Sequence, residues 1–311
     1  MLRTALLFPG QGSQRPGMLA ALPDHPAVHA ARDEASAVLS RDWRAFDDAD
    51  ALSRTDGAQL ALTIAGVAAA RALIAEGAPI DVVAGHSVGA FPAAVVAGAL
   101  SFEDALALVA LRGRLMAESH PDGFGMTAII GLREAAVARL VAEAQAAGPI
   151  YVANRNAELQ VVVSGAEAAL ARVAALALQA GARKAERLNV RTPSHCPLVA
   201  PVAERLQEAM RGVALRAPAI PYVSARRARM LRDPSSIGAD LAANVAEPVR
   251  WRDTARLLGE LGVEATFETP AGSTLSELTA EALPQARTCA LDQMSLRSAA
   301  VLGGRPPGWG P

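Results

Sequence analysis

Cysteine and net charge are both scarce in this chain of 311 residues. Its two cysteines, Cys196 and Cys289, are too few for a disulfide framework and lack the spacing of metal ligands. Thirty basic and 31 acidic residues leave a formal net charge of −1, with no long block of like charge. Such a balance lacks the field that would hold nucleic acid or an anionic membrane. We therefore expect no metal site and no nucleic-acid or membrane partner.

Long apolar runs are missing as well. No window approaches the roughly 18 uninterrupted apolar residues of a membrane span, and residues 1–4 lead into an apolar strand without a cationic leader. Both observations predict a cytoplasmic protein. Apolar residues nevertheless make up 51% of the chain, enough for a large core. A local crowding of arginines predicts a solvated loop rather than a binding patch: Arg226, Arg227, Arg229 and Arg232.

The order of the predicted elements indicates an α/β fold with a largely parallel sheet, because strand-like runs alternate with helical patterns. The strand-like runs lie at 4–8, 80–84, 220–223 and 265–268. The helical patterns lie at 26–39, 59–76, 102–118 and 197–211.

A different order occupies residues 125–188, where strand, helix, strand, strand, helix and strand follow one another. This order is typical of a ferredoxin-like unit. We interpret it as a subdomain inserted into a discontinuous core of residues 1–124 and 189–302. The tail 303–311 is rich in Gly and Pro, and we expect it to be disordered.

The most informative segment is Gly85-His86-Ser87-Val88-Gly89, between an apolar strand and a small-residue helix. A strand that turns sharply into a helix exposes a serine as a nucleophile, and the flanking glycines avoid Cβ clashes. The alternative interpretation is an ordinary βα turn that contains a serine. The strand before it and the helix after it favour the nucleophile.

A serine nucleophile needs a base, and the chain has five histidines. Three have the surroundings of surface residues, and His86 adjoins the serine, so that its side chain diverges from it. His195 remains, in a loop between Pro193 and Pro197 that could bring it to Ser87 from far along the chain. The alternative is a histidine that only packs.

Three further residues suit the binding of negative charge near Ser87. A developing oxyanion needs two donors, and the backbone N–H groups of Val88 and of Gln11, in the turn after the first strand, are the candidates. Arg112 has only apolar neighbours at helical spacing, so its guanidinium must find an anion. That anion is either an internal carboxylate or the carboxylate of a substrate.

Five motifs in register resemble the malonyl-CoA:acyl-carrier-protein transacylase family. They are Phe8-Pro9-Gly10-Gln11-Gly12-Ser13-Gln14, Gly85-His86-Ser87-Val88-Gly89, Leu111-Arg112-Gly113-Arg114, Gln160-Val161-Val162-Val163-Ser164-Gly165 and Pro193-Ser194-His195-Cys196. The match runs from Leu6 to about Leu278.

The resemblance implies a serine acyltransferase with an α/β-hydrolase-like core and a ferredoxin-like insertion. It implies that Ser87 carries malonyl as an ester, that His195 activates Ser87 and that Arg112 binds the malonyl carboxylate. The amides of Gln11 and Val88 would form the oxyanion hole. Malonyl-CoA would be a substrate and an acyl carrier protein the partner, with no permanently bound cofactor. A serine hydrolase and a non-catalytic carrier-binding protein remain as alternatives.

Some positions depart from the fatty-acid-synthesis members of that family. Ala90-Phe91-Pro92 follows the serine turn, and Pro92 lacks the N–H of a regular helix start. Arg250 stands where a backbone carbonyl would orient the histidine, and the turn 270–273 is altered. These departures resemble the epsilon subunit of malonate decarboxylase, which moves malonyl to the small carrier protein of that enzyme. Synthesis of fatty acids or polyketides is the alternative.

Overall fold

The computed structural model describes residues 2–120, 122–190 and 192–304. Within them, one six-stranded sheet forms the centre of the fold in the order β10-β9-β1-β2-β7-β8, parallel except for β8. Its strands are β1 Thr4–Phe8, β2 Val82–Gly85, β7 Tyr222–Ser224, β8 Arg229–Leu231, β9 Ala265–Glu268 and β10 Arg287–Ala290. The predicted α/β architecture with a parallel sheet is confirmed.

A second sheet is antiparallel, in the order β4-β5-β3-β6. Its strands are β3 Phe124–Ile130, β4 Ile150–Ala157, β5 Gln160–Ala166 and β6 Lys184–Arg187. With two helices between its strands, this sheet has the order and pairing of a ferredoxin-like unit. It has its own apolar cluster, centred on Ile129, Val163 and Val173. We propose residues 125–188 as an inserted subdomain on this basis.

Twelve α-helices connect and cover the strands in the described parts of the chain. They are α1 Pro26–Leu39, α2 Ala49–Ser53, α3 Thr55–Ala75, α4 Ala90–Val96, α5 Phe102–Ser119, α6 Glu134–Ala144, α7 Glu167–Gln179, α8 Ala200–Met210, α9 Pro234–Ala243, α10 Trp251–Glu260, α11 Thr274–Ala282 and α12 Leu296–Gly304. Local chemistry sets several starts: Ser101 accepts a hydrogen bond from the N–H of Asp104 at the start of α5, as predicted. At the start of α9, just before Pro234, the side chain of Asp233 accepts a hydrogen bond from the N–H of Ser236.

The core lies on both faces of the main sheet because β1 alternates its side chains between them. Leu6 and Phe8 pack into a cluster with α3 and α4, whereas Ala5 and Leu7 join Trp251 on the other face. Helix α3 is long and apolar enough to cross a membrane by length and composition alone. However, 83% of its most apolar window is buried inside the fold, as in the core helix of a globular protein.

The boundaries differ from the predicted ones at several ends. Helix α3 begins four residues before the predicted residue 59, and β4 extends four residues beyond the predicted residue 153. Gly303 and Gly304, predicted in a disordered tail, belong to α12, so that prediction is wrong for these two residues. Residues 305–311 lie outside the described residues.

Candidate active site

Ser87 lies where β2 turns into a short 3-10 helix, Ser87–Gly89, that precedes α4. Its φ of 55° is in the left-handed region, which is rare outside glycine and typical of a strained functional turn. A Cβ on Gly85 would lie 2.1 Å from the carbonyl oxygen of Gly89, and one on Gly89 would lie 2.2 Å from that of Phe8. Both glycines are therefore needed because backbone passes directly beside them, as the sequence predicted.

The Ser87 hydroxyl contacts two side chains from distant parts of the chain. Its Oγ lies 2.8 Å from Nε2 of His195, and Nη2 of Arg112 donates to it at 3.2 Å. On its other side, Nδ1 of His195 faces the carbonyl oxygens of Asn244 at 2.7 Å and Glu247 at 3.2 Å. Since carbonyl oxygens only accept, Nδ1 must carry the proton, and Nε2 is left to accept the Ser87 proton.

Burial keeps this histidine neutral. His195 is 2% exposed, and burial, with the nearby charge of Arg112, lowers its pKa to about 3. A charged ring would be costly here because the groups at Nδ1 are neutral carbonyls, not a carboxylate. Among the residues that the structure describes, no acidic side chain contacts the ring. The arrangement is a serine–histidine pair with backbone carbonyls in place of a third acid.

The loop before His195 is fixed to the second sheet. The N–H of Ser194 donates to Oγ of Ser164 in β5 at 3.0 Å, and the N–H of His195 donates to the carbonyl of Val245 at 2.6 Å. One of the sequence motifs, Gln160–Gly165, therefore supports the histidine loop.

The expectation that position 250 supplies the orienting carbonyl is wrong. The carbonyl of Arg250 accepts from the N–H and the hydroxyl of Thr254, both at 2.9 Å, at the start of α10. Asn244 and Glu247 supply the oxygens instead. Their positions depend on the path of the loop after α9, which no motif specifies.

Arg112 is buried within the fold at 1% exposure. Its Nη1 donates to Oε1 of Gln59 at 2.7 Å, and its Nε has no partner among the residues that the structure describes. Within the described ranges no carboxylate pairs with it, so the internal salt bridge considered above has no partner there. Burial lowers its pKa to about 9, which leaves it charged at neutral pH. The site thus contains a desolvated cation beside Ser87, suited to an anionic ligand.

The turn after β1 packs against Ser87. A Cβ on Gly10 would lie 3.3 Å from Cβ of Ser87. Gln11, the next residue, therefore lies close to Ser87. In the described parts of the chain, neither the N–H of Gln11 nor that of Val88 has a hydrogen-bond acceptor. The two amides are available to an oxyanion near Ser87.

A cleft of about 370 Å³ opens beside these residues, between the main sheet and the ferredoxin-like unit. Loop 9–14 and α11 form one wall, and strands β3, β4 and β5 with residues 188–190 form the other. His86 lines it and bonds Asn156 at 3.2 Å through Nε2, away from Ser87. Burial lowers the pKa of His86 to about 4. This placement agrees with the prediction that the His86 side chain diverges from Ser87.

Sequence reasoning missed three contributors to the site: Gln59, Asn244 and Glu247. Gln59 had a usable signal, since it is the one amide in the largely apolar helix α3 and is 1% exposed. The other two act through backbone carbonyls, which carry no signal in side-chain identity. Asn244 also donates from Nδ2 to the Ser87 carbonyl at 3.4 Å.

No group of three or more metal-binding side chains lies within residues 2–120, 122–190 and 192–304. A parallel α/β sheet that presents a serine at a strand-to-helix turn, with a histidine in reach, is typical of enzymes that use a serine nucleophile. The chain belongs to the acyl transferase domain family, whose sequence pattern matches residues 5–304.

Curated relatives resemble the chain over nearly its whole length. A malonyl CoA-acyl carrier protein transacylase of Salmonella typhimurium is 36% identical over 307 residues, 97% of this chain and 99% of the relative. One of Bacillus subtilis is 33% identical, over 94% of both chains.

Solved structures share the fold. A malonyl CoA-acyl carrier protein transacylase from Coxiella burnetii is similar with a TM-score of 0.92 and 35% identity, over 97% of both chains. A malonyl-transacylase solved in complex with a type II PKS acyl-carrier protein also has a TM-score of 0.92, at 34% identity over 96% of this chain and 99% of that one.

Proposed function

We propose that this chain transfers a malonyl group from malonyl-CoA, through an ester on Ser87, to the thiol of an acyl carrier protein. One observation carries the proposal. The Ser87 hydroxyl lies between a neutral base, Nε2 of His195 at 2.8 Å, and a buried guanidinium, Nη2 of Arg112 at 3.2 Å. A base on one side activates the serine, and a cation on the other selects an acyl group that carries its own negative charge.

The first half-reaction loads the serine. Nε2 of His195 takes the hydroxyl proton while Oγ of Ser87 attacks the thioester carbonyl carbon. The oxyanion accepts hydrogen bonds from the N–H groups of Gln11 and Val88. When the C–S bond breaks, His195 gives its proton to the CoA sulfur, and malonyl remains on Ser87 as an ester.

The second half-reaction reverses these steps with a different thiol. The carrier thiol gives its proton to His195 while its sulfur attacks the ester carbonyl. The C–O bond then breaks, and His195 returns the proton to Ser87. Only side chains and backbone amides take part, and no bound cofactor is needed.

Arg112 suits the free carboxylate of malonyl because of where it lies. A malonyl ester on Ser87 has its carboxylate one methylene beyond the reacting carbonyl carbon. The guanidinium bonds the serine oxygen itself, so that carboxylate is within its reach. Binding would pair a cation that has only neutral partners in the described structure, Gln59 and Ser87.

The cleft suits the arm that both thiols share. Among the described residues, its walls present the amide groups of Gln11, Gln14, Asn154, Asn156, Gln160 and Asn189, and no charged side chain. Oδ1 of Asn154 is buried, and it has no hydrogen-bond partner in the described part of the chain. An uncharged chain with amides, such as pantetheine, can exchange hydrogen bonds with such walls.

We further propose that the acceptor is the carrier subunit of malonate decarboxylase. The segment Ala90-Phe91-Pro92 and the turn 270–273 support this choice over a fatty-acid or polyketide carrier. Ala90, Phe91 and Pro92 lie buried in α4, directly after the serine turn at residues 85–89, which we call the elbow. They therefore indicate the subfamily of the chain, whereas the carrier must be recognised by exposed residues. We place the enzyme in the cytoplasm, where reducing conditions suit its two free thiols.

Intact-mass measurement tests the acyl-enzyme. Mixing with malonyl-CoA should add one malonyl mass to the wild type and to Ser13→Ala, a control serine in the cleft wall, but none to Ser87→Ala. Adding a holo-carrier should move the mass to its thiol. A malonyl mass that persists in Ser87→Ala would overturn the assignment, and release of free malonate without any carrier would favour a hydrolase.

Competition tests the acceptor. The malonyl-enzyme is offered equal amounts of two holo-carriers, one with phosphoribosyl-dephospho-CoA and one with phosphopantetheine. Both present a terminal thiol, so a preference reports on the carrier surface and the linker. Preferential loading of the first supports the decarboxylase. Preferential loading of the second rejects it and leaves the transacylase intact.

A further inference from the structure

A partly buried ionic cluster lies behind the catalytic pair and includes Arg226 of the arginine-rich loop that was predicted to be solvated. Nε of Arg226 bonds Oδ1 of Asp240 at 2.9 Å, and its Nη1 bonds Oε2 of Glu247 at 2.6 Å. The side chains of Arg226 and Asp240 are only 8% and 2% exposed. The prediction of a solvated loop is therefore wrong for Arg226, although Arg227, Arg229 and Arg232 are exposed.

Asp240 ties this cluster to the strand beside the nucleophile. Its carboxylate also accepts hydrogen bonds from Oγ of Ser224 at 2.6 Å and from the hydroxyl of Tyr222 at 3.1 Å, both in β7. Strand β7 pairs with β2, and Ser224 lies opposite Gly85, two residues before Ser87. The carboxylate is thus fixed relative to the serine turn.

Both carbonyls that hold His195 come from the segment this cluster restrains. Asp240 lies in the last turn of α9, and its backbone carbonyl accepts a hydrogen bond from the N–H of Asn244 at 3.0 Å. Glu247 uses its side chain to accept from Arg226 and its backbone oxygen to accept from Nδ1 of His195. The guanidinium of Arg226 therefore binds Asp240, before the loop that orients the His195 ring, and Glu247, within that loop.

We propose that Arg226 is a positioning residue for His195. Its guanidinium, anchored by Asp240, holds the loop 244–247 so that two carbonyls meet Nδ1 and Nε2 points at Ser87. The inference rests on the proposed function, in which His195 is the base. A ring that is misplaced by even about 1 Å can lower a rate by on the order of 10²-fold, so the cluster should matter to acylation although it lies outside the cleft walls.

Three variants separate this role from simple stabilisation. Arg226→Met removes both ion pairs. Glu247→Ala removes only the tie to the loop, and it is the safer variant because that side chain is 51% exposed. Glu247→Gln keeps an oxygen that can accept from Arg226. The control Glu143→Ala breaks an exposed arginine–glutamate pair of 2.7 Å, to Arg172, in the other sheet unit.

The measurement is single-turnover acylation by malonyl-CoA, at a temperature where thermal melts show each variant folded. Arg226→Met should lower the saturating rate about tenfold or more, with the half-saturating concentration unchanged. Glu247→Ala should lower it less than Arg226→Met does, Glu247→Gln should lower it less than Glu247→Ala does, and Glu143→Ala should match the wild type. If Arg226→Met does not fold, Glu247→Ala decides alone.

A second background makes the test specific for His195. In His195→Ala, adding Glu247→Ala should cause no further loss, since the residue to be positioned is gone. The same fractional loss in both backgrounds, or a folded Glu247→Ala at the wild-type rate, would overturn the inference. A wild type that never acylates would instead reject the proposed function.

Discussion

Nε2 of His195 lies 2.8 Å from Oγ of Ser87, although 108 residues separate the two in sequence. Both residues have positive φ, 57° and 55°, so each half of the pair sits on a strained turn that the surrounding structure must enforce. The elbow does so for Ser87 through Gly85 and Gly89. Hydrogen bonds from Ser194 and His195 to the second sheet and the loop after α9 do so for the histidine.

Removing the histidine side chain should slow acylation without preventing binding. His195→Ala leaves the Ser87 proton without an acceptor, and we expect a loss of on the order of 10²-fold or more in the acylation rate. His86→Ala, which removes the other histidine of the site, should lose less. Rapid-quench intact-mass measurement gives both rates. Near wild-type acylation in His195→Ala would show that another group is the base.

The pH dependence of acylation should be flat where a free histidine would titrate. His195 acts as a base only when neutral, and with a pKa of about 3 it stays neutral from pH 5 to 8. The rate therefore falls only at more acidic pH. At the other end, Arg112 loses its proton near its pKa of about 9, so the half-saturating malonyl-CoA concentration should rise above that pH. Acylation time courses, quenched at set times across pH 5 to 10, give the rate at acidic pH and the half-saturating concentration at alkaline pH. A drop in rate centred near pH 6.5 would contradict the first.

Gly85→Ala should damage both stability and activity. Its new Cβ would meet the backbone of Gly89 at 2.1 Å, and backbone cannot move aside as a flexible side chain can. We expect a loss of about 1–3 kcal/mol or more in the free energy of unfolding, as for other overpacked sites. Gly212→Ala is the control, because its nearest neighbour would lie 3.8 Å away. Urea unfolding and acylation assays compare the two, and equal stability of both variants would contradict this account of the elbow.

Much of the site was predictable because its chemistry resides in side chains with strong local signals. Ser87 has flanking glycines and a strand before it, His195 remained after elimination, and Arg112 was a cation on an apolar helix face. Each of these residues is one that favourable packing alone does not explain at its position. The ferredoxin-like order was also predictable from local signals, since the hydrophobic pattern of residues 125–188 switches between strand and helix periodicity within a few residues.

The rest depended on how distant loops meet. The carbonyls of Asn244 and Glu247 orient His195, but any residue type has a carbonyl, so the sequence misplaced this role at Arg250. Arg226 read as solvent-exposed because its partners, Asp240 and Glu247, lie 14 and 21 residues away. Only the tertiary fold shows that the three charges are paired and that those of Arg226 and Asp240 are buried.

Arg112 provides the test of substrate selectivity. If its guanidinium binds the malonyl carboxylate, Arg112→Ala should lose malonyl-CoA turnover while it keeps or gains acetyl-CoA turnover. Acetyl offers no charge, and the emptied site no longer contains a desolvated cation. Arg114→Ala is the matched control: two residues away, that side chain is 61% exposed and 3.9 Å from Glu118, and neither substrate should be affected. Turnover of both thioesters by each variant is measured with the same carrier. Equal losses for malonyl and acetyl in Arg112→Ala would show that this arginine supports Ser87 and Gln59 rather than the substrate.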